Sequence, residues 1–87
     1  MFFVYSLKSD KNGKIYCGQS TRHPEIRLKE HNRGMNAFTK QNGPFQLLYF
    51  EEYLCKEDAR KKELFYKSGF GRKVRDAILR EVASARG

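Results

Sequence analysis

Phe2 to Leu7 is dense in aromatic and branched residues, and the same character resumes from Lys14 to Gly18 after Ser9-Asp10-Lys11-Asn12-Gly13. Segments of that kind read as strands, and an Asn-Gly step suits positive φ between them. An antiparallel hairpin at the start of the chain is therefore expected, and everything downstream has to pack on it. Side chains alternate along a strand, so Phe3, Tyr5 and Leu7 share one face, while Ile15 and Cys17 oppose Tyr16 and Gly18. Whether Tyr5 and Tyr16 share a face depends on strand register, which the pattern leaves open.

Pro24 suits the first turn of a helix; Glu25 to Arg33 continues it and Gly34 ends it. Residues 34–44 read as a polar connector containing Phe38, Thr39 and Lys40. Phe45 to Tyr53, rich in Leu, Tyr and Phe, is the third strand. Lys56 to Lys67 reads as a helix opened by Glu57 and Asp58, where the helix dipole favours negative charge. Ser68-Gly69-Phe70-Gly71 breaks it. From Arg72 to about Ala85, Val74, Ile78 and Val82 recur every four residues and predict a last helix. The order is β-β-α-β-α-α, an α/β sandwich with a three-stranded antiparallel sheet flanked by helices. Eighty-seven residues leave room for one core, so residues 1–87 are expected to form a single domain.

Lys and Arg number 18 against 10 Asp and Glu, a formal net charge of +8, which favours a polyanionic partner: nucleic acid first, an anionic membrane second. The N-terminus lacks a basic n-region and reaches Lys8 before a signal-peptide core can form. No apolar run approaches the roughly 20 residues that span a bilayer. Cys17 and Cys55 are too few for a disulfide framework, and no Cys-His spacing resembles a zinc site. Reduced thiols, a cytoplasmic location and no membrane association are the expectation. Basic residues concentrate late in the chain, where Lys67, Arg72, Lys73 and Arg75 are candidate nucleic-acid contacts. Phosphate contacts of that kind hold the backbone without reading bases and are salt-sensitive.

Arg27 and His31 lie one helical turn apart and project from one face. A guanidinium there can fork onto a phosphate, and an imidazole can relay a proton or bond a tyrosine oxygen. From spacing alone the same pair also reads as a basic surface helix with a satisfied histidine, and Tyr5 and Tyr16 as sheet aromatics filling the core. Glu63 likewise reads as a solvated helix glutamate paired with Lys67. Gly18 is expected to let a phosphate or a packed helix approach the backbone.

Phe3-Val4-Tyr5, Tyr16-Cys17-Gly18, the helix Ile26 to Asn32, the strand Leu47 to Glu52 and the block Ala59 to Glu63, taken in order, resemble a GIY-YIG nuclease domain. The similarity runs from Val4 to about Leu79. Within that family the chain looks most like the short, stand-alone bacterial members related to the nuclease module of excision repair. The resemblance implies a divalent-metal-dependent endonuclease that hydrolyses DNA phosphodiester bonds, in repair or recombination. It implies catalytic roles for Tyr5, Tyr16, Arg27, His31 and Glu63, with Glu63 holding one Mg²⁺ or Mn²⁺. Arg27 would hold the scissile phosphate, His31 would assist proton traffic, and either tyrosine would activate water. A phenol titrates near pH 10, so a nearby cation and Arg27 are expected to lower that value.

The chain departs from the family at two places. Some members carry a lysine straight after the second motif, where this chain has Gln19. Many carry a late asparagine, whereas here none follows Asn42, and Ser68 is a candidate substitute. Two rival readings keep the same residues: a catalytically silent module that binds nucleic acid, and an interaction domain whose basic face meets an acidic protein. The sequence does not separate DNA from RNA, and a protein partner or a homodimer is expected to supply targeting.

Overall fold

The hairpin forms as its turn chemistry requires. In the computed structural model, which describes residues 1–34 and 36–86, β1 (Phe2–Ser9) and β2 (Ile15–Ser20) pair antiparallel. Of the Asn12-Gly13 step only Gly13 takes a positive φ, 75°. Ser9 organises the turn: its carbonyl accepts from Gly13 N–H (3.0 Å) and its hydroxyl accepts from Lys11 N–H (3.0 Å) and Asn12 N–H (3.2 Å). β3 (Phe45–Tyr53) pairs on the other side of β1, giving a sheet of order β2-β1-β3 with every pair antiparallel.

α1 (Pro24–Asn32) joins β2 to the rest of the chain. Pro24 opens it, and the His23 side chain accepts from Glu25 N–H at 3.2 Å. Gly34, at φ 76°, closes it by donating to His31 O at 2.9 Å, a glycine stop of the usual left-handed kind. The Asn32 side chain then grips the Phe45 backbone from both sides, at 2.7 and 3.3 Å, and ties the end of α1 to the start of β3.

The connector is more ordered than its polarity suggests; Met35 lies outside the described residues. Ala37–Asn42 form a short helix, α2. Asn36 and Thr39 cap it reciprocally, side chain to backbone, at 2.9 and 3.3 Å. Phe38 lies between Tyr16 and Phe45, with centroids 5.6 and 6.1 Å away.

α3 (Lys56–Lys67) and α4 (Gly69–Arg86) meet at a single residue, Ser68. The last helix thus starts at Gly69 rather than Arg72, because the glycines are its first turn and not a break. Ser68 Oγ accepts from Gly71 N–H at 3.1 Å and Ser68 O accepts from Arg72 N–H at 2.9 Å. A Cβ on Gly71 would stand 1.6 Å from Phe65 O, so only glycine permits this corner.

The sheet is packed on both faces. On one, Tyr5, Leu7 and Phe45 are buried with Tyr16, Leu28, Phe38, Leu47 and Phe50 around them, beneath α1 and α2. On the other, Val4, Cys17, Ala59 and Tyr66 are buried with Phe65, Val74 and Ile78, beneath α3 and α4. β3 serves both faces through a bulge: Leu48 is one extra residue between the pairs Ser6–Tyr49 and Leu7–Leu47. The bulge re-phases the strand. Phe50 opposes Tyr5 and faces α1, whereas Glu51 opposes Val4 and faces α3.

Glu51 is consequently half-buried under α3, where its carboxylate accepts hydrogen bonds from the Tyr53 and Tyr66 hydroxyls. Burial, and then the same carboxylate, push the Tyr49 phenol up to about 12. Tyr66 is 2% exposed, so its hydroxyl has no route to bulk water if the carboxylate is lost. A buried hydroxyl without a partner costs about 1–3 kcal/mol. Glu51→Ala should therefore lower the unfolding free energy by about 2–3 kcal/mol, whereas its exposed neighbour Glu52→Ala should change it by less than about 0.5 kcal/mol. Urea denaturation of the two variants beside wild type checks this; equal effects would mean the carboxylate contributes nothing specific.

Candidate active site

Register decides which side chains meet. Tyr5 stands opposite Gly18 and Leu7 opposite Tyr16, so both tyrosines project from the α1 face of the sheet. Their ring centroids are 6.5 Å apart. Gly18 has a different task from the one expected of it. A Cβ there would lie 2.5 Å from the Tyr5 hydroxyl oxygen and 2.6 Å from Cζ. The Tyr5 phenol crosses the space a side chain would fill, and Tyr5 is only 1% exposed, so the ring has no room to swing aside.

α1 lies over this face and delivers the imidazole. Tyr5 Oη and His31 Nε2 are 2.8 Å apart, and His31 is fully buried. Tyr16 packs its ring 4.8 Å from the same imidazole, and is half-buried with no hydrogen bond from its hydroxyl to the described residues. One turn before His31, Arg27 comes within hydrogen-bonding reach of the Tyr5 oxygen. Glu30 steadies that guanidinium at 3.4 Å and also meets Arg22 at 3.1 Å. Glu30 was not among the residues expected to matter, although its i,i+3 spacing from Arg27 is the signal that could have found it. Arg27 Nε and His31 Nδ1 are buried without a partner among the described residues.

Burial raises the Tyr5 phenol above its ordinary value; Arg27 pulls it down by hydrogen bond and charge, and Tyr16 and Glu63 push it further up. With the guanidinium as the one cation beside it, loss of solvent around the phenolate outweighs Arg27. His31 is lowered, first by burial and then by Arg27, with Glu30 opposing. At neutral pH the pair is a neutral phenol beside a neutral imidazole. With the guanidinium beside the phenol oxygen, Tyr5 Oη and His31 Nε2 share one hydrogen bond between two neutral groups.

Glu63 comes from α3, with its side chain 18% exposed. Its charge reaches Tyr5, and its carboxylate meets Lys67 Nζ at 3.6 Å, one turn on. No group of three or more His, Cys, Asp or Glu able to hold a metal occurs among the described residues. A single carboxylate nevertheless fits Mg²⁺ or Mn²⁺, hard cations that keep several waters and take further oxygens from a phosphate.

The other expected contacts separate. Lys67, Arg72 and Lys73 are exposed around the α3–α4 corner. Arg75 turns inward, its side chain 15% exposed, with its guanidinium on Asp76 (3.0 Å) and near Cys17 Sγ (3.8 Å). Gln19 pairs with Val4 and so faces α3, away from the tyrosines. Ser68 is occupied as the hinge of the two helices, donating to Phe65 O at 2.6 Å. No helix among the described residues is long and apolar enough to cross a membrane.

A three-stranded sheet that brings two tyrosines, an arginine and a histidine onto one face, with a glutamate from the helix beyond, is the architecture of a GIY-YIG catalytic domain. Residues 1–75 match that family, and the chain belongs to it. Its relatives include a UPF0213 protein of Clostridium perfringens, 40% identical over 68 residues, which cover 77% of this chain and 71% of that protein. A UPF0213 protein of Staphylococcus aureus is 39% identical over 62 residues, 70% of this chain and 73% of that protein. No solved structure matches the chain significantly.

Two outcomes follow from this geometry. Gly18→Ala should destabilise the protein by about 1–3 kcal/mol through overpacking, and most of that cost should vanish in a Tyr5→Leu background. A double-mutant cycle by urea denaturation measures it, and additive effects would sink the steric account. His31 binds its proton less readily folded than unfolded, so the unfolded chain takes up more protons below pH 6.5. Stability from this residue is fully present above that pH and is lost as pH falls through the lower folded value. Urea midpoints between about pH 7.5 and about pH 5 should fall more steeply for wild type than for His31→Gln.

Proposed function

We propose that this chain is a divalent-metal-dependent endonuclease that hydrolyses phosphodiester bonds in DNA. The buried Tyr5–His31 pair carries the reading: a phenol aligned 2.8 Å from a neutral imidazole, with a guanidinium at its oxygen. Such an arrangement is costly to bury for packing alone and is suited to moving a proton.

In this reading Arg27 binds the scissile phosphate and neutralises charge developing on its oxygens. The attacking water gives a proton to Tyr5 Oη while Tyr5 gives its own to His31 Nε2, so no free phenolate has to form. The resulting hydroxide bonds to phosphorus and the bond to the leaving oxygen breaks. Tyr16, with its hydroxyl unengaged, lines the approach. Glu63 would hold the Mg²⁺ or Mn²⁺, which supplies positive charge for the phosphoryl and leaving oxygens. Glu30 is a positioning residue for Arg27. Residues 1–87 act as one domain in the cytoplasm, in repair or recombination, as a relative of the excision-repair nuclease module, and a protein partner or homodimer supplies targeting.

One observation favours a second reading, a silent module that binds nucleic acid through its +8 charge: Lys67 already satisfies Glu63. Nicking of supercoiled plasmid in Mg²⁺ or Mn²⁺ separates the two. Arg27→Ala and Glu63→Ala should each reduce cutting by at least about 100-fold while salt-dependent DNA binding persists. Binding without cleavage by wild type on plasmid and branched DNA would support the silent module. Absence of binding even at low salt would exclude both.

A further inference from the structure

Phe70 is 71% exposed, and it stands at the tightly packed corner between α3 and α4. Gly71 is pressed against the Phe65 carbonyl, Ser68 bonds both helices, and the Phe70 ring packs edge-on against Phe65 at 6.2 Å and 69°. Apart from that edge contact the ring stands in water, where a large exposed apolar group is costly.

Its surroundings say what would cover it. From Leu64 to Arg75 the chain contains no carboxylate, and the exposed Lys67, Arg72 and Lys73 flank Phe70 in sequence. Leu64, one residue after Glu63, is also 55% exposed. An apolar protein surface would have to desolvate those cations. A nucleic-acid strand would satisfy ring and cations together, because each nucleotide offers a π-face and a phosphate. A duplex keeps its bases stacked on one another and offers the ring only edges, so the ring selects unpaired bases. The corner is also close to the candidate catalytic centre: Lys67, which meets Glu63, is at most about 11 Å along the backbone from Phe70.

We propose that Phe70 is a base-stacking platform that, with Lys67 and Lys73, binds a strand carrying unpaired bases and leads it to the Glu63 side of the site. The inference deepens the nuclease reading and rests on it, but it concerns binding and is tested without cleavage.

The chain contains no tryptophan, so Phe70→Trp places a single indole at the corner. Titration with oligothymidylate, without divalent metal, should quench that indole as a base stacks on it. Phe70→Ala should weaken oligothymidylate binding by about 5- to 100-fold, measured by anisotropy of labelled oligonucleotide, and leave duplex binding within about 2-fold. Because Phe70 is exposed, both variants should keep wild-type circular dichroism and urea midpoints. Binding seen by anisotropy with an unchanged indole and an unchanged Phe70→Ala affinity would overturn the stacking platform and leave the nucleic-acid reading standing. No binding of either oligonucleotide at low salt would overturn both. An indole emission that shifts with protein concentration alone would assign the corner to contact between two copies and overturn the proposal.

Discussion

The contact between Tyr5 and His31 sets terms for most of the surrounding structure. A phenol and an imidazole can be hidden from water only if each satisfies the other, and they meet only if a strand and a helix are both held in place. Strand register puts Tyr5 across from Gly18, which leaves the phenol its space. Asn32, the residue after His31, is clamped to the β3 backbone and fixes how α1 lies over the sheet. Capping of α2 keeps Phe38 packed against Tyr16. These elements are the frame of one hydrogen bond.

The two faces of the sheet treat their tyrosines differently. On the α1 side, Tyr5 faces a neutral base and a guanidinium, so its proton has somewhere to go. On the α3 side, Tyr53 and Tyr66 donate to Glu51, and a carboxylate acceptor beside a buried phenol holds the proton on the phenol. One set is arranged for transfer and the other for permanence. The sheet keeps them apart, so the stabilising cluster does not compete with the candidate active site for protons.

Much of this was legible in the residues. The strand segments, the helix opened by Pro24 and stopped by Gly34, and the placement of Arg27 and His31 one turn apart all follow from local chemistry that tertiary packing had no reason to override. What escaped was non-local or double-edged. Asn36 and Thr39 are loop formers until a half-buried Phe38, packed between Tyr16 and Phe45, makes their reciprocal cap worthwhile. Gly69 and Gly71 normally end helices; here they form the first turn of one, with Gly71 pressed against the Phe65 carbonyl. Composition shows the Arg27 charge near Tyr5 but not the burial that outweighs it. Arg75 reads as surface charge in the sequence, whereas its side chain faces Asp76 and Cys17.

The bulge at Leu48 has a consequence for how this chain tolerates change in length. Strict alternation would send Phe45, Leu47, Tyr49, Glu51 and Tyr53 to a single face; the inserted residue divides them between two. Deleting Leu48 would close the bulge and leave Phe50 toward α1 and Glu51 toward α3, because Leu47 and Tyr49 already pair with consecutive residues of β1. The spare residue is therefore slack: β3 can lose it without moving a side chain from one face of the sheet to the other.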